Sequence, residues 1–158
     1  MDTSSFEIKD LAPVRAIGIR ALVPHDKMAG SVDEACNRLL PLLDAHGGRP
    51  AGPPLVLQHD LAAPGGVDLE VCVPTPNLLP AENEVVPREL SGGLFASMVT
   101  VSPPDSISEA FADLALWACE RGYVRAGPVR LVPLAIVGSP EEDKQHVIEV
   151  MFPVGVAA

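Results

Sequence analysis

Aromatic residues are scarce in this chain. Four Phe, one Trp and one Tyr make up 4% of 158 residues. A wall of stacked rings for flat compounds can be only sparsely built from so few. Basic residues are also few: 11 Lys and Arg stand against 21 Asp and Glu, a formal net charge of −10, and they form no cluster. Nucleic-acid binders neutralise phosphates with a basic face, so direct DNA or RNA binding is not expected, nor is docking on an anionic membrane. The negative field favours small cations instead. The three cysteines, Cys36, Cys72 and Cys119, are widely spaced and form no CxxC. They read as free thiols in a reducing cytoplasm. No His pair has metal-ligand spacing, so neither a metal nor a cofactor is expected. No apolar run reaches the roughly 18 residues that signal a membrane helix. The start, Met1-Asp2-Thr3-Ser4-Ser5, lacks the basic and apolar segments of a signal peptide. Catalytic templates are missing too. There is no GxSxG, no GxGxxG after a strand and no P-loop, and Ser91-Gly92-Gly93 reads as a turn.

Proline and glycine, by contrast, are plentiful, at 17 and 13. That stays below the level of low-complexity disorder and points to many turns. The length is that of one domain, residues 1–158, with enough chain to bury a core without disulfides.

The strongest pattern is internal. SVDEACNRLLPLLDAHGGRPAGP (31–53) aligns without gaps on SISEAFADLALWACERGYVRAGP (106–128), with eight of 23 positions identical. LEVCVP (69–74) likewise matches IEVMFP (148–153), with the four extra residues of the second half falling in GSPEEDKQH (138–146), a longer hairpin loop. Each half then reads β-α-β-β. VRAIGIRALV (14–23) and LFASMVTV (94–101) are the first strands. Ser31 and Ser106, each followed by Glu three residues on, are capping-box starts for the helices. Gly47 and Gly122 stop them, and Pro41 is expected to kink or shorten the first. PPLVLQHD and VDLEVCVP close one half, VRLVPLAIV and HVIEVMFP the other. The half-repeats run from about 6–75 and 92–154, joined by a Pro-rich linker at 75–91 with one short strand near Glu84-Val85-Val86. One βαββ unit cannot close a core. Two units related by a pseudo-twofold axis would form an α+β fold: a curved antiparallel sheet with both helices on one face. A pocket is expected in the groove between the helices.

FEIKDLAPVRAIGI, LQHD before VDLEVCVP, LSGGLFASM, LALWACERGYVRAGP and IEVMFPV together resemble the GyrI-like effector-binding family, over residues 6–154. The resemblance implies a duplicated βαββ fold with a central pocket for lipophilic, often cationic, compounds. In regulators of this type a separate helix-turn-helix domain binds DNA. Here the fold would fill the chain, as in a free-standing member. Some free-standing relatives are proposed to sequester drugs or protect gyrase, and others are similar to hydrolases that open strained cyclopropanes of DNA-alkylating toxins. The chain departs from the family where a His-x-Gly-Pro-Tyr stretch often precedes the second helix. Here Thr100-Val101-Ser102-Pro103-Pro104 stands in its place.

Glu149 is the sharpest candidate. It interrupts an apolar strand, VIEVM, and a buried charge must be paired, protonated or kept for a ligand. The family's ligand-contacting acid falls at this motif position. The alternative is a salt bridge to an Arg such as Arg20 or Arg130. Glu70, its repeat mate, has the more polar neighbours Asp68 and Cys72 and reads as the wetter acid, solvated or paired. Trp117 is either core packing or a wall that stacks on a flat ligand. Tyr123 either places a hydroxyl over the pocket or stops the helix. His59 ends a strand near the groove or sits in a surface hairpin. His25 and Met28 fall in a possible lid loop, His46 suits a helix C-terminus, and His146 starts a strand.

Three functions follow. The first is a pocket protein that binds a lipophilic, possibly cationic, compound, for drug or toxin sequestration or sensing, through Glu149, Trp117, Tyr123, His59 and Glu70. The second is a hydrolase for a strained electrophile, with Glu149 as catalytic acid or base. The third is a protein partner that masks a topoisomerase, for which no acidic run speaks.

Overall fold

The computed structural model describes residues 6–60, 64–77, 79–82, 84–102, 107–137 and 145–156. The fold is α+β, with two α-helices and antiparallel strand pairing. It groups into two compact units, and these are not consecutive stretches. Residues 12–92 form one, and residues 1–11 with 93–158 form the other.

The unit of residues 12–92 contains β2 (Val14–Val23), α1 (Met28–Ala45), β3 (Leu55–Asp60), β4 (Val67–Pro74) and β5 (Val86–Leu90). β4 lies between β3 and β2, and β5 adds to the other edge of β2. α1 packs on β2 and β4. It buries Ala35, Leu39 and Leu43, four residues apart on one stripe.

The second unit contains β1 (Glu7–Leu11), β6 (Gly93–Ser102), α2 (Ile107–Glu120), β7 (Tyr123–Arg125), β8 (Val129–Val137) and β9 (Gln145–Val156). β9 lies between β6 and β8, β1 adds to the other edge of β6, and β7 pairs with the end of β9. α2 packs on β6, β7 and β9. Its buried stripe is Ala110, Leu114 and Ala118, each 75 residues after its counterpart in α1. The β-α-β-β order is thus the same in both units, with an added strand beside the first strand of each and with β7 as an extra strand in the second.

Four expectations change. Ser31 is not a cap: α1 starts at Met28, after a 3₁₀ turn at His25–Lys27 whose Lys27 N–H donates to Pro24 O at 2.9 Å. That turn supplies the helix start one turn earlier. Ser106 and most of segment 138–146 lie outside the described residues. Pro41 does not shorten α1, which continues to Ala45. The lost backbone bond is offset by burial of Leu39 and Leu43 on either side, worth about 1.5–3 kcal/mol each. The linker strand comes later than expected, at Val86–Leu90, after a bridge between Glu82 and Val85. Finally, β1 pairs with β6 of the other sequence half, a strand that periodicity did not reveal. Both helices do end on a left-handed glycine, Gly47 at φ 73° and Gly122 at φ 84°.

Candidate functional site

Glu149 lies in the middle of β9. Phe152, three residues on and facing the other way, packs edge-to-face on Phe111 of α2, so Glu149 points away from the helix. Residues directly opposite each other in a ladder share a face. Val99 is opposite Glu149 on β6 and Val132 is opposite it on β8. Along β9 the same face carries Val147 and Met151. The side chain is only 12% exposed. Its Oε2 accepts two charge-assisted bonds: 2.6 Å from Ser97 Oγ and 2.5 Å from Lys9 Nζ. The carboxylate holds the Lys9 ammonium above its ordinary pKa, mainly through that hydrogen bond. Lys9 is 33% exposed and also lies 3.6 Å from Glu7 Oε1. Of the two arginines expected as partners for Glu149, Arg20 is engaged elsewhere, in a forked bond to Asp68 at 3.0 and 2.8 Å, while Arg130 stands opposite Met151 with its guanidinium 4.4 Å from the Phe95 ring centre.

Glu70 occupies the corresponding place on β4, and it is the more buried acid, at 2% exposure. The expectation of a wetter Glu70 is reversed. Its Oε1 accepts from Arg88 Nη1 at 2.8 Å and from His59 Nε2 at 2.9 Å. Arg88 comes from β5, and His59 sits in a β-bulge between Gln58 and Asp60, which frees it from the ladder. Opposite Glu70 on β2 is Arg20. Gly18, two residues before it, has no room for a side chain: a Cβ there would stand 2.8 Å from Glu70 Oε2.

The two acids therefore sit in one framework with different surroundings. Lys9 and Arg88 are 79 residues apart, as are Glu149 and Glu70, Val99 and Arg20, and Val147 and Asp68. Around Glu70 those positions hold an Arg–Asp pair. Around Glu149 they hold valines, and Val99 and Val101 remain 39% and 52% exposed. An apolar, accessible rim surrounds one carboxylate and an ion-pair network surrounds the other.

Of the residues singled out from sequence, Glu70 and His59 come together. Trp117 stacks edge-to-face on Phe6 at 5.6 Å, and the Arg121 guanidinium covers its ring at 4.3 Å. Tyr123, half-buried, opens β7 opposite Val156. His46 caps α1 and lies 3.4 Å from Glu82. The side chains of His25 and His146 lie outside the described residues. A cavity of about 260 Å³ between α1 and strands β2 and β4 is lined by Ile19, Leu69, Val71, Glu34 and Arg38 among others, and by none of those candidates. No cluster of three or more His, Cys, Asp or Glu fit for a metal occurs among the described residues. No helix among them is long and apolar enough to cross a membrane. Sequence reasoning missed Lys9, Ser97, Arg88 and Val99. The signal for the two bases was the shared spacing of Lys9/Arg88 and Glu70/Glu149.

The sequence profile of the GyrI-like small molecule binding domain matches residues 4–154. No curated protein matches the chain significantly in sequence. Among solved structures, the chain is similar to the C-terminal domain of EcmrR, with a TM-score of 0.77 at 17% identity, over 96% of this chain and 98% of that one. In the EcmrR–DNA complex it spans 57% of the EcmrR chain, at a TM-score of 0.81 and 16% identity. A hydrolase of Listeria innocua is similar at 0.63 and 14% identity, over 96% and 92%. SAV2435, solved bound to tetraphenylphosphonium, is similar at 0.58 and 14%, over 95% and 93%. At these identities the likeness carries the fold.

Proposed function

This chain belongs to the GyrI-like small molecule binding domain family, and we propose that its ligand is a lipophilic cation held at Glu149. The observation that carries this reading is a nearly buried carboxylate flanked by accessible valines. Val99 and Val132 stand opposite it, and Val101 and Val147 continue the apolar surface. Such a surface desolvates the apolar body of a ligand, while the carboxylate supplies the counter-charge. A neutral lipophile would gain only the first term, and a hydrophilic cation only the second. The relative solved with tetraphenylphosphonium supports a ligand of this class.

Glu70 is less suited to the role. Its two partners are a planar guanidinium and an imidazole, both strand-anchored, and its neighbours Arg20 and Asp68 bind each other. We assign it to structure. Trp117, with its ring engaged by Phe6 and Arg121, and Tyr123 are secondary candidates for ligand contact.

A hydrolase reading draws support from the likeness to the Listeria innocua hydrolase and from the carboxylate-held imidazole of His59. Glu149 would then act as acid or base on a strained ring.

The test is a titration with tetraphenylphosphonium and with a neutral analogue, triphenylphosphine oxide. Glu149→Gln should weaken the cation by about 1.5–3 kcal/mol, the weight of a charge-assisted contact, and leave the neutral analogue nearly unchanged. Equal affinity of the variant for the cation would refute the assignment. A hydrolase would instead keep its affinity and lose turnover by about 10²–10⁴.

A further inference from the structure

The Glu149 carboxylate already holds a cation that belongs to the chain. Lys9 Nζ lies 2.5 Å from Oε2, the same oxygen that accepts from Ser97. An incoming cation would compete with Lys9 for that carboxylate, because two positive charges at one carboxylate repel each other. Lys9 and Arg88 both stand on added edge strands and are both about a third exposed, but they grip differently: Lys9 is a point charge on a flexible stem, whereas Arg88 offers a rigid fork. Lys9 also has somewhere to go. Glu7 lies two residues away on the same face of β1, with its Oε1 3.6 Å from the ammonium and its side chain open to solvent. The residue 79 positions after Glu7 is Val86, so Arg88 has no acid at the matching position.

We propose that Lys9 is a tethered competitor for the ligand site, displaced by an incoming cation from Glu149 to Glu7. This rests on the reading that Glu149 binds a cation, and it adds a specificity rule. Displacing Lys9 means re-pairing an ammonium with water and Glu7, so a ligand must bring more than charge. Small hydrophilic ammonium ions gain nothing over Lys9 itself. Cations with an apolar body gain the surface of Val99, Val101 and Val147 and win the exchange. Pairing with Glu149 also raises the Lys9 pKa, in line with a counter-ion that stays charged while it waits.

The experiment uses the full chain and tetraphenylphosphonium, with triphenylphosphine oxide as the neutral control. Lys9→Met removes the competing charge and keeps the stem. If Lys9 holds the site about nine-tenths of the time, the cation should bind about tenfold tighter in Lys9→Met, since apparent affinity scales with the competent fraction. The neutral probe should change little. Lys9→Arg keeps the pair and grips it with a fork, so the cation should bind more weakly. This variant also serves if Lys9→Met fails to fold. Glu7→Gln should weaken the cation two- to threefold in the wild type and hardly at all in the Lys9→Met background, a coupling that a mere long-range charge effect would not produce. Unchanged or weaker cation binding in Lys9→Met, or unchanged binding in Lys9→Arg, overturns the proposal. If Glu149→Gln still loses affinity in that case, the ligand site stands and only the competitor role falls. If Glu149→Gln binds as the wild type does, the ligand site falls as well.

Discussion

Glu70 and Glu149 have opposite local contexts and opposite fates. Along the chain, Glu149 sits among valines and Glu70 beside Asp68, so the first looks drier. In the fold, Glu70 is sealed because Arg88 and His59 arrive from β5 and from a bulge in β3. Neither contact is local, and strand alternation carries no information about them. The sealed pair should be much the costlier to break. Arg88→Met would leave a buried charge without its main partner and should destabilise by about 3–5 kcal/mol in urea unfolding. Lys9→Met should cost less than that, because its carboxylate partner Glu149 is less deeply buried than Glu70, at 12% exposure against 2%. Equal losses would contradict the division of labour between the two acids. The neighbouring Arg20–Asp68 pair has a pH signature. The Arg20 hydrogen bond holds the Asp68 carboxyl below its ordinary value of 3.8. A lowered folded pKa gives stability that is present above the unfolded value and is lost as pH falls through the folded one. The stability gap between wild type and Asp68→Asn, about 0.2–1 kcal/mol for an exposed pair, should therefore persist from neutral pH down to about pH 4 and close below it. A gap that grows in acid would reverse the assigned sign.

The regular elements were largely legible. The strands at 14–23 and 67–74, the second helix and both glycine stops follow from apolar periodicity and turn chemistry, which are local. The arm β1 was not legible and β5 only as a short linker strand near Glu84-Val85-Val86, because each is short and its partner lies far along the chain. They matter most to the site, since they deliver Lys9 to Glu149 and Arg88 to Glu70. The start of α1 was misread for a related reason: a sequence pattern for a cap at Ser31 lost to a turn that begins at Pro24. The element scale also predicts a steric limit. At Gly18 of β2 a methyl group would meet Glu70 Oε2, Cys72 Sγ at 3.1 Å and the Val71 carbonyl at 3.3 Å. Gly18→Ala should destabilise by about 1–3 kcal/mol, as other insertions into packed interiors do. A melting temperature equal to wild type would show that the carboxylate can move aside and that its network is looser than described.

For the molecule as a whole, charge and family point the same way. A net charge of −10 draws cations to the surface and repels phosphates. The isolated chain should therefore fail to shift duplex DNA, even though the similar EcmrR domain belongs to a DNA-bound regulator. A salt-sensitive, micromolar shift would contradict this. Composition thus carried only a preference for cations over phosphates, and motif order carried the fold. The placement of the site needed the pairing of distant strands. The most direct test of that placement is a crystal structure of the chain grown with tetraphenylphosphonium. The account predicts the phosphonium against the Glu149 carboxylate, its rings on Val99 and Val101, and Lys9 turned towards Glu7. A ligand seated in the cavity beneath α1 with the Lys9–Glu149 pair intact would contradict it.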